Sequence, residues 1–393
     1  MLDLDIIEIT GIGWLGIFLG FAAVFMMGRR EEGIARVGVM FFLALLQVIT
    51  AIYFFQWAVS GNITDAITYY TDPYDWRRNG FGLNTQFIIW SVQGLKSLAG
   101  GTYLDYFLLF QATGTWGVAF LLLTYDDIFK MAERPPYRPI YLTLFMPGIH
   151  FWTAYIGKDG LLFLAAAMTV WAAVHIRARW LVFAAAVVIM ILVRPHIALL
   201  AVSAGAVGIA FDKHASPAIR IALIAMALMA FSFAATTIQD TFRIDVTNAD
   251  SVSDFLSTYS EITQTVAGST TVYYESYFVR VFSLLFRPLF FDAGGFLGLV
   301  ASFENLFILF MVSLILYRIT WVITLFRHLF VIRFAVLFAL ALTALLALMY
   351  YNVGLGLRQK LMMMPAYLTV FAAVVATSQR VKSVQRRARP QPA

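Results

Sequence analysis

The chain contains no cysteine, which excludes disulfides, thiolate nucleophiles and cysteine-based metal centres. Histidine is sparse, with five residues and no pair at metal-ligand spacing. Charge is sparse too. Asp, Glu, Lys and Arg make up 13% of the residues, where an ordinary soluble domain carries about 25%. No internal repeat and no nucleotide-binding motif stands out. What is abundant is apolar: 61% of the residues are hydrophobic and the mean hydropathy is +0.80. A soluble fold of 393 residues cannot hide that much apolar surface, whereas a bilayer can. The expected class is therefore an all-α, polytopic integral membrane protein with a single transmembrane domain over 1–378. The net charge of +6 does not imply nucleic acid, because Lys and Arg accumulate in the cytoplasmic loops of membrane proteins.

A bilayer core needs about 20 apolar residues per helix. Runs that meet or approach this lie at 11–27, 37–58, 103–124, 139–156, 160–175, 180–193, 195–211, 219–237, 296–317, 332–351 and 362–378, which predicts eleven spans. Residues 83–98 mix Asn84, Gln86, Ser91 and Lys96 with Trp90 and two isoleucines, and read as an amphipathic interfacial helix rather than a span. Asp3, Asp5 and Glu8 stand where a signal peptide would be basic, and Arg29, Arg30 and Arg36 follow the first apolar run. That order places the N-terminus outside. Threading the chain from there puts 18 of the 28 Lys and Arg inside, and 16 of the 22 Asp and Glu outside. This is the sense the positive-inside rule requires. Long outer loops are expected at 59–102 and 238–293, and a basic, disordered cytoplasmic tail at 379–393.

With this threading, the unusual polar residues fall on the outer face and predict a shared cavity there. Arg194-Pro195-His196 opens a helix: proline suits the first helical position, the helix N-terminus offers free N–H groups, and the arginine adds a planar fork suited to phosphate. In Gly157-Lys158-Asp159-Gly160, Gly157 can end one helix and Asp159 can cap the next, which leaves Lys158 as a candidate ligand-binding cation. Asp65 lies four residues before Tyr69, so the two share a face if that stretch is helical. Asp65 is a candidate general base toward a hydroxyl acceptor, and Tyr69 a ring for stacking on a sugar. Asp72 and Asp75 read as turn acids. Arg287, Arg358 and Lys360 add positive charge, Gly354 and Gly356 permit close backbone approach, and Asn352 can cap a helix or bind a hydroxyl.

The order of these motifs resembles bacterial multi-span envelope glycosyltransferases and O-antigen or exopolysaccharide polymerases. The residues that carry it are Asp65 with Tyr69, Phe151-Trp152 with Gly157-Lys158-Asp159, Arg194-Pro195-His196, Phe286-Arg287-Pro288, Glu304-Asn305-Leu306, and Asn352 with Gly354 and Arg358-Gln359-Lys360. The likeness covers about residues 60–365. The C-type membrane glycosyltransferases place a catalytic acid in the first outer loop, which Asp65 matches, although here it follows the second span and no D-x-D pair accompanies it. The polymerases rely on arginines in outer loops, which Arg194, Arg287 and Arg358 match.

The resemblance implies transfer of sugar from a polyprenyl-phosphate- or diphosphate-linked donor to a glycan or lipid-linked acceptor on the outer face of the bacterial cytoplasmic membrane. Asp65 and His196 would be the catalytic residues. Tyr69, Lys158, Asp159, Arg194, Arg287, Asn352 and Arg358 would bind substrate. Partners would be the two substrates, membrane lipids and other polysaccharide-assembly proteins, with no nucleic acid and no resident cofactor or metal. A transporter or flippase of lipid-linked glycans is the alternative, since it too needs arginines and aromatics around a membrane cavity.

Overall fold

The computed structural model describes residues 7–28, 34–62, 64–73, 80–135, 138–212, 276–348 and 352–388, with short pieces of one to three residues elsewhere. Much of the span expected at 219–237, most of the loop expected at 238–293, the basic cluster Arg29-Arg30 and the last residues of the tail lie outside the described residues. Everything described is helix or connector, with no strand among the described residues. Among the described residues five helices are long and apolar enough to cross a membrane, or six if one bent pair counts as a single span. Their flanks carry bare apolar side chains such as Phe42, Ile49, Trp180, Leu181, Phe303, Phe310 and Leu316. Lipid is the solvent that suits such a surface.

The described residues form two compact units. The first comprises Met1–Asp127 and Pro136–Pro195, and the second Ile128–Pro135 and His196–Ala393. The first unit holds α1 (Gly11–Gly28), α2 (Ile34–Val59), α3 (Asp65–Thr71), α4 (Thr85–Ala99), most of α5 (Tyr103–Met131), α6 (Pro147–Thr153), α7 (Lys158–Val174) and α8 (Ile176–Val193). Residues 139–156 are not one continuous helix. A 3-10 stretch, Arg138–Phe145, precedes the short α6. Pro139 and Pro147 explain the break, because neither can donate to a preceding carbonyl and proline is tolerated only in the first turn of a helix. Residues 83–98 do form a helix of 15 residues, with Ile88, Ile89 and Val92 buried along one face.

Small residues let α1 lie directly on α5. A Cβ on Gly16 would stand 2.2 Å from the Leu108 carbonyl oxygen. The approach is closed by hydrogen bonds, with Gln111 Nε2 donating to Gly16 O at 3.1 Å and Trp116 Nε1 to Leu19 O at 2.9 Å. Buried Asp105 ties the helix starts together, accepting from Thr10 N at 2.9 Å, Thr10 Oγ1 at 2.7 Å and Thr102 N at 2.7 Å. Gly16→Val is expected to destabilise the protein by about 1–3 kcal/mol through overpacking. Gly38→Ala, where a Cβ meets nothing within 4 Å, should be neutral or slightly stabilising. Thermal unfolding of the detergent-solubilised variants separates the two outcomes.

The opposite ends of α2 and α5 are clamped by charge. Arg36 pairs with Asp126 at 2.6 Å, and both side chains are buried. Arg179 pairs with Asp127 at 2.6 Å and stacks 4.0 Å from the Trp171 ring.

The second unit holds the end of α5, α9 (Pro195–Ala210), α10 (Tyr277–Phe286), α11 (Gly295–Tyr317), α12 (Ile319–His328), α13 (Phe330–Leu348), α14 (Val353–Gln359) and α15 (Met364–Ala388). Pro195 is the first residue of α9, as its chemistry predicts. Buried Arg333 of α13 reaches Asp212 at 2.8 Å. A 3-10 turn, Lys360–Met362, joins α14 to α15 across a bend of 60°. The expected disordered tail is instead helical as far as Ala388. Its run of Gln, Arg and Lys favours helix, and no proline intervenes before Pro390.

Candidate functional site

Three distant segments of the first unit meet at helix ends. Lys158 is the first residue of α7, and its ammonium donates to Asn84 Oδ1 and Thr85 Oγ1, both at 2.7 Å. Asn84 caps α4 with φ 62° and ψ −125°, a backbone conformation that suits glycine and is strained for asparagine. Asn84 N donates to Leu192 O at 2.8 Å, which brings the end of α8 to the same place. Arg194 follows α8, and its guanidinium lies 3.8 Å from Asp159 Oδ1. Asp159 is fully buried and accepts a hydrogen bond from the Tyr155 hydroxyl.

Asp159 is therefore not the cap of α7. Gly157 holds that position, and the carboxylate turns inward to Tyr155 and Arg194. The Tyr155 ring stacks on Phe54 at 4.7 Å and 7°, within a cluster that includes Phe151 and Trp152. The Phe151-Trp152 motif is thus an aromatic bed beneath the polar cluster. The N-termini of α4 and α7 both open here. Each supplies free N–H groups and partial positive charge, alongside one ammonium and one guanidinium. Such a set favours a bound anion, with Asp159 orienting Arg194.

Asp65 and Tyr69 lie elsewhere in the first unit. Asp65 is the exposed first residue of α3, and α3 docks on the far half of α4. Gln93 Nε2 donates to the Tyr69 and Tyr70 carbonyls at 2.9 and 3.0 Å, and Lys96 Nζ to Tyr70 O at 3.0 Å. Those contacts sit roughly 12–17 Å along α4 from Thr85, at 1.5 Å per residue. The Tyr69–Tyr70 end of α3 and Lys158 thus meet α4 at opposite ends. Tyr69 corrects the expectation of a stacking platform: it is 3% exposed and packs in the core with Phe54, Phe55 and Tyr70, where α3 docks on α4. Burial raises the Tyr70 pKa, with the Asp105 carboxylate adding to it, and burial lowers that of Lys96. Lys96 sits 3.8 Å over the Tyr70 ring. Asp75 is a turn acid, accepting from Arg77 N at 3.0 Å and pairing with Arg78 at 3.3 Å.

A second polar cluster forms within the second unit. Arg287, which ends α10, pairs with Asp292. The Pro288 carbonyl accepts from Asn305 Nδ2 at 2.8 Å, and Asn305 Oδ1 in turn accepts from buried Lys360. The three motifs Phe286-Arg287-Pro288, Glu304-Asn305-Leu306 and Arg358-Gln359-Lys360 are thereby joined. Tyr350 packs where Gly356 leaves room, since a Cβ there would stand 2.2 Å from its ring. Asn352 caps α14, accepting from Leu355 N at 3.1 Å. Arg358 is half-buried in the last turn of α14, and His196 is the half-buried second residue of α9.

Comparison with protein-family models, with curated proteins and with solved structures gives no match for this chain. Among the described residues no group of three or more His, Asp or Glu is placed to hold a metal ion. Four polar partners were not singled out from the sequence. Asn84 and Thr85 belong to a segment whose polar start was visible, and Asp105 is an acid inside an apolar run, which marks a residue needing partners. Tyr155 gave no signal, because its role depends on the fold around it.

Proposed function

We propose that the chain is a membrane glycosyltransferase or polysaccharide polymerase that uses a polyprenyl-phosphate- or diphosphate-linked sugar donor. The observation that carries this reading is the meeting of Lys158, Arg194 and the N-termini of α4 and α7, drawn from three separate segments. In the proposed reaction the acceptor hydroxyl oxygen forms a bond to the anomeric carbon, and the bond from that carbon to the phosphate oxygen breaks. The leaving phosphate keeps the electron pair, and the cationic cluster stabilises the charge it gains. Asp65 takes the acceptor proton, with His196 as the other candidate base. Arg287, Asn352 and Arg358 bind substrate. The acceptor is a glycan or a lipid-linked glycan, and other polysaccharide-assembly proteins are partners.

The membrane arrangement belongs to the same proposal: eleven spans, the N-terminus outside, the C-terminus cytoplasmic, and the site on the outer face of a bacterial cytoplasmic membrane. The division of Lys and Arg supports it. Because the chain has no cysteine, single cysteines introduced at Asn62 and Glu133 can be labelled one at a time in intact cells. An impermeant maleimide should reach the first and not the second.

One observation favours the second reading, a transporter or flippase of lipid-linked glycans. The bend between α14 and α15 places buried Lys360 at a helix break, facing Asn305. Broken helices with polar residues at the break are typical of transport sites. Purified protein in liposomes, given a fluorescent polyprenyl-diphosphate oligosaccharide, decides between the two. Formation of a new glycosidic product supports the enzyme. Movement of donor across the bilayer without product supports the transporter.

A further inference from the structure

The segment between α11 and α13 is a helix in its own right. Arg318 links α12 to α11 and Leu329 links it to α13, each a single residue. Both flanking helices are long and apolar enough to cross a membrane. Ten residues of α-helix span about 15 Å, half of a hydrocarbon core of about 30 Å. Helix α12 cannot cross, and its neighbours hold it at the level where they leave the bilayer.

Its side chains sort accordingly. Val322 is the one buried residue of α12 and packs on the protein. Ile319 and Ile323, 43% and 45% exposed, share the adjoining strip of the helix. Thr320, Thr324 and His328 are exposed on the side away from Val322, and Arg327, one turn on from Ile323, is exposed at the border between the two. At the entry the Arg318 guanidinium stacks 4.4 Å from the Trp321 ring and 4.9 Å from that of Tyr317. An apolar strip, a cationic and hydroxylated face, and aromatics at the boundary are the pattern of a helix lying in a membrane interface.

Charge identifies the surface it fits. From Asn305 to Ala393 the sequence has ten Lys and Arg and no Asp or Glu. Arg333 and Arg380 reach acids outside this stretch, Asp212 and Glu133. The exposed face of α12 adds Arg327 to a segment that contains no acid of its own.

We propose that α12 lies in the plane of the bilayer surface and binds anionic phospholipid headgroups through Arg318 and Arg327. Ile319 and Ile323 enter the acyl boundary beside α11 and α13. The inference does not depend on sugar transfer.

The test uses the full chain in lipid nanodiscs. With no native cysteine, Ile323→Cys and Thr324→Cys each accept one environment-sensitive fluorophore. The label at 323 should be quenched by nitroxide on the upper acyl chain, and the label at 324 by an aqueous quencher. Nitroxide-bearing phosphatidylglycerol should quench the label at 323 at a concentration roughly fivefold lower, per cation engaged, than the phosphatidylcholine analogue. That preference should shrink in 0.5 M salt and disappear in R318Q/R327Q. The salt response of the unmodified charges tests the idea even if the double variant misfolds. Equal quenching by the two lipids, or aqueous access at 323, would overturn the proposal. So would protection at 323 that depends on protein concentration, which would assign the face to a second copy of the chain.

Discussion

Asp65→Asn should lower sugar transfer by roughly two to four orders of magnitude, the usual worth of a general base, and leave donor binding intact. Asparagine keeps the shape and hydrogen-bonding capacity of the side chain but cannot accept the proton. The expectation rests on placement: Asp65 is exposed at the start of α3, whereas the cations assigned to the donor are held by Asn84, Thr85 and Asp159. Loss of the carboxylate should therefore not disturb Lys158 or Arg194. Asp75→Asn is the control, since that acid serves its own turn through Arg77 and Arg78. The measurement is transfer from a purified lipid-linked donor, with donor binding followed separately. Unchanged turnover in Asp65→Asn would remove the C-type assignment and shift the proposal to the arginine-dependent polymerases. Loss of binding together with turnover would make Asp65 an organiser of the site and not its base.

Arg194→Lys should cost a further large factor, about 10²–10³ in turnover, the scale of removing one preorganised donor from a developing oxyanion. An ammonium keeps the charge beside Asp159 but not the planar fork that holds two phosphate oxygens at once. Insertion and thermal stability should change little, because Asp159 retains its Tyr155 partner and a nearby cation. Asp159→Asn discriminates between a positioning role and a direct one. If Asp159 acts by orienting Arg194, its variant should lower turnover in the same direction, and combining it with Arg194→Lys should add little, as expected for residues that act as one unit. Near-normal glycan output from Arg194→Lys would reduce this arginine to a helix-end residue.

The composition determined by itself that the chain is helical and suited to a bilayer, because its apolar runs are long and its charges few. Local chemistry was just as legible where one residue dictates its own conformation. Pro195 starts α9, and Asn352 caps α14 through its own side chain. Likewise the polar, isoleucine-bearing stretch after Leu83 becomes the 15-residue α4. Helix existence depends on neighbours a few residues away, and a sequence displays those directly.

Only the tertiary structure decided what the polar residues do. Asp159 looked like a helix cap, yet its carboxylate is spent on Tyr155 and Arg194, and Arg194 lies 35 positions away in sequence. Lys158 was legible as a candidate cation, but not its acceptors on α4, 73 and 74 residues distant. Tyr69 carries an aromatic ring that could as well face a sugar as a core, and the docking of α3 on α4 sends it inward. The connector after Tyr317 is a helix that no apolar run marks, because ten amphipathic residues between two apolar runs do not announce whether they fold back as helix. In each case the deciding free energy comes from burial and pairing between segments far apart in the chain, and the order of the residues does not state which segments will meet.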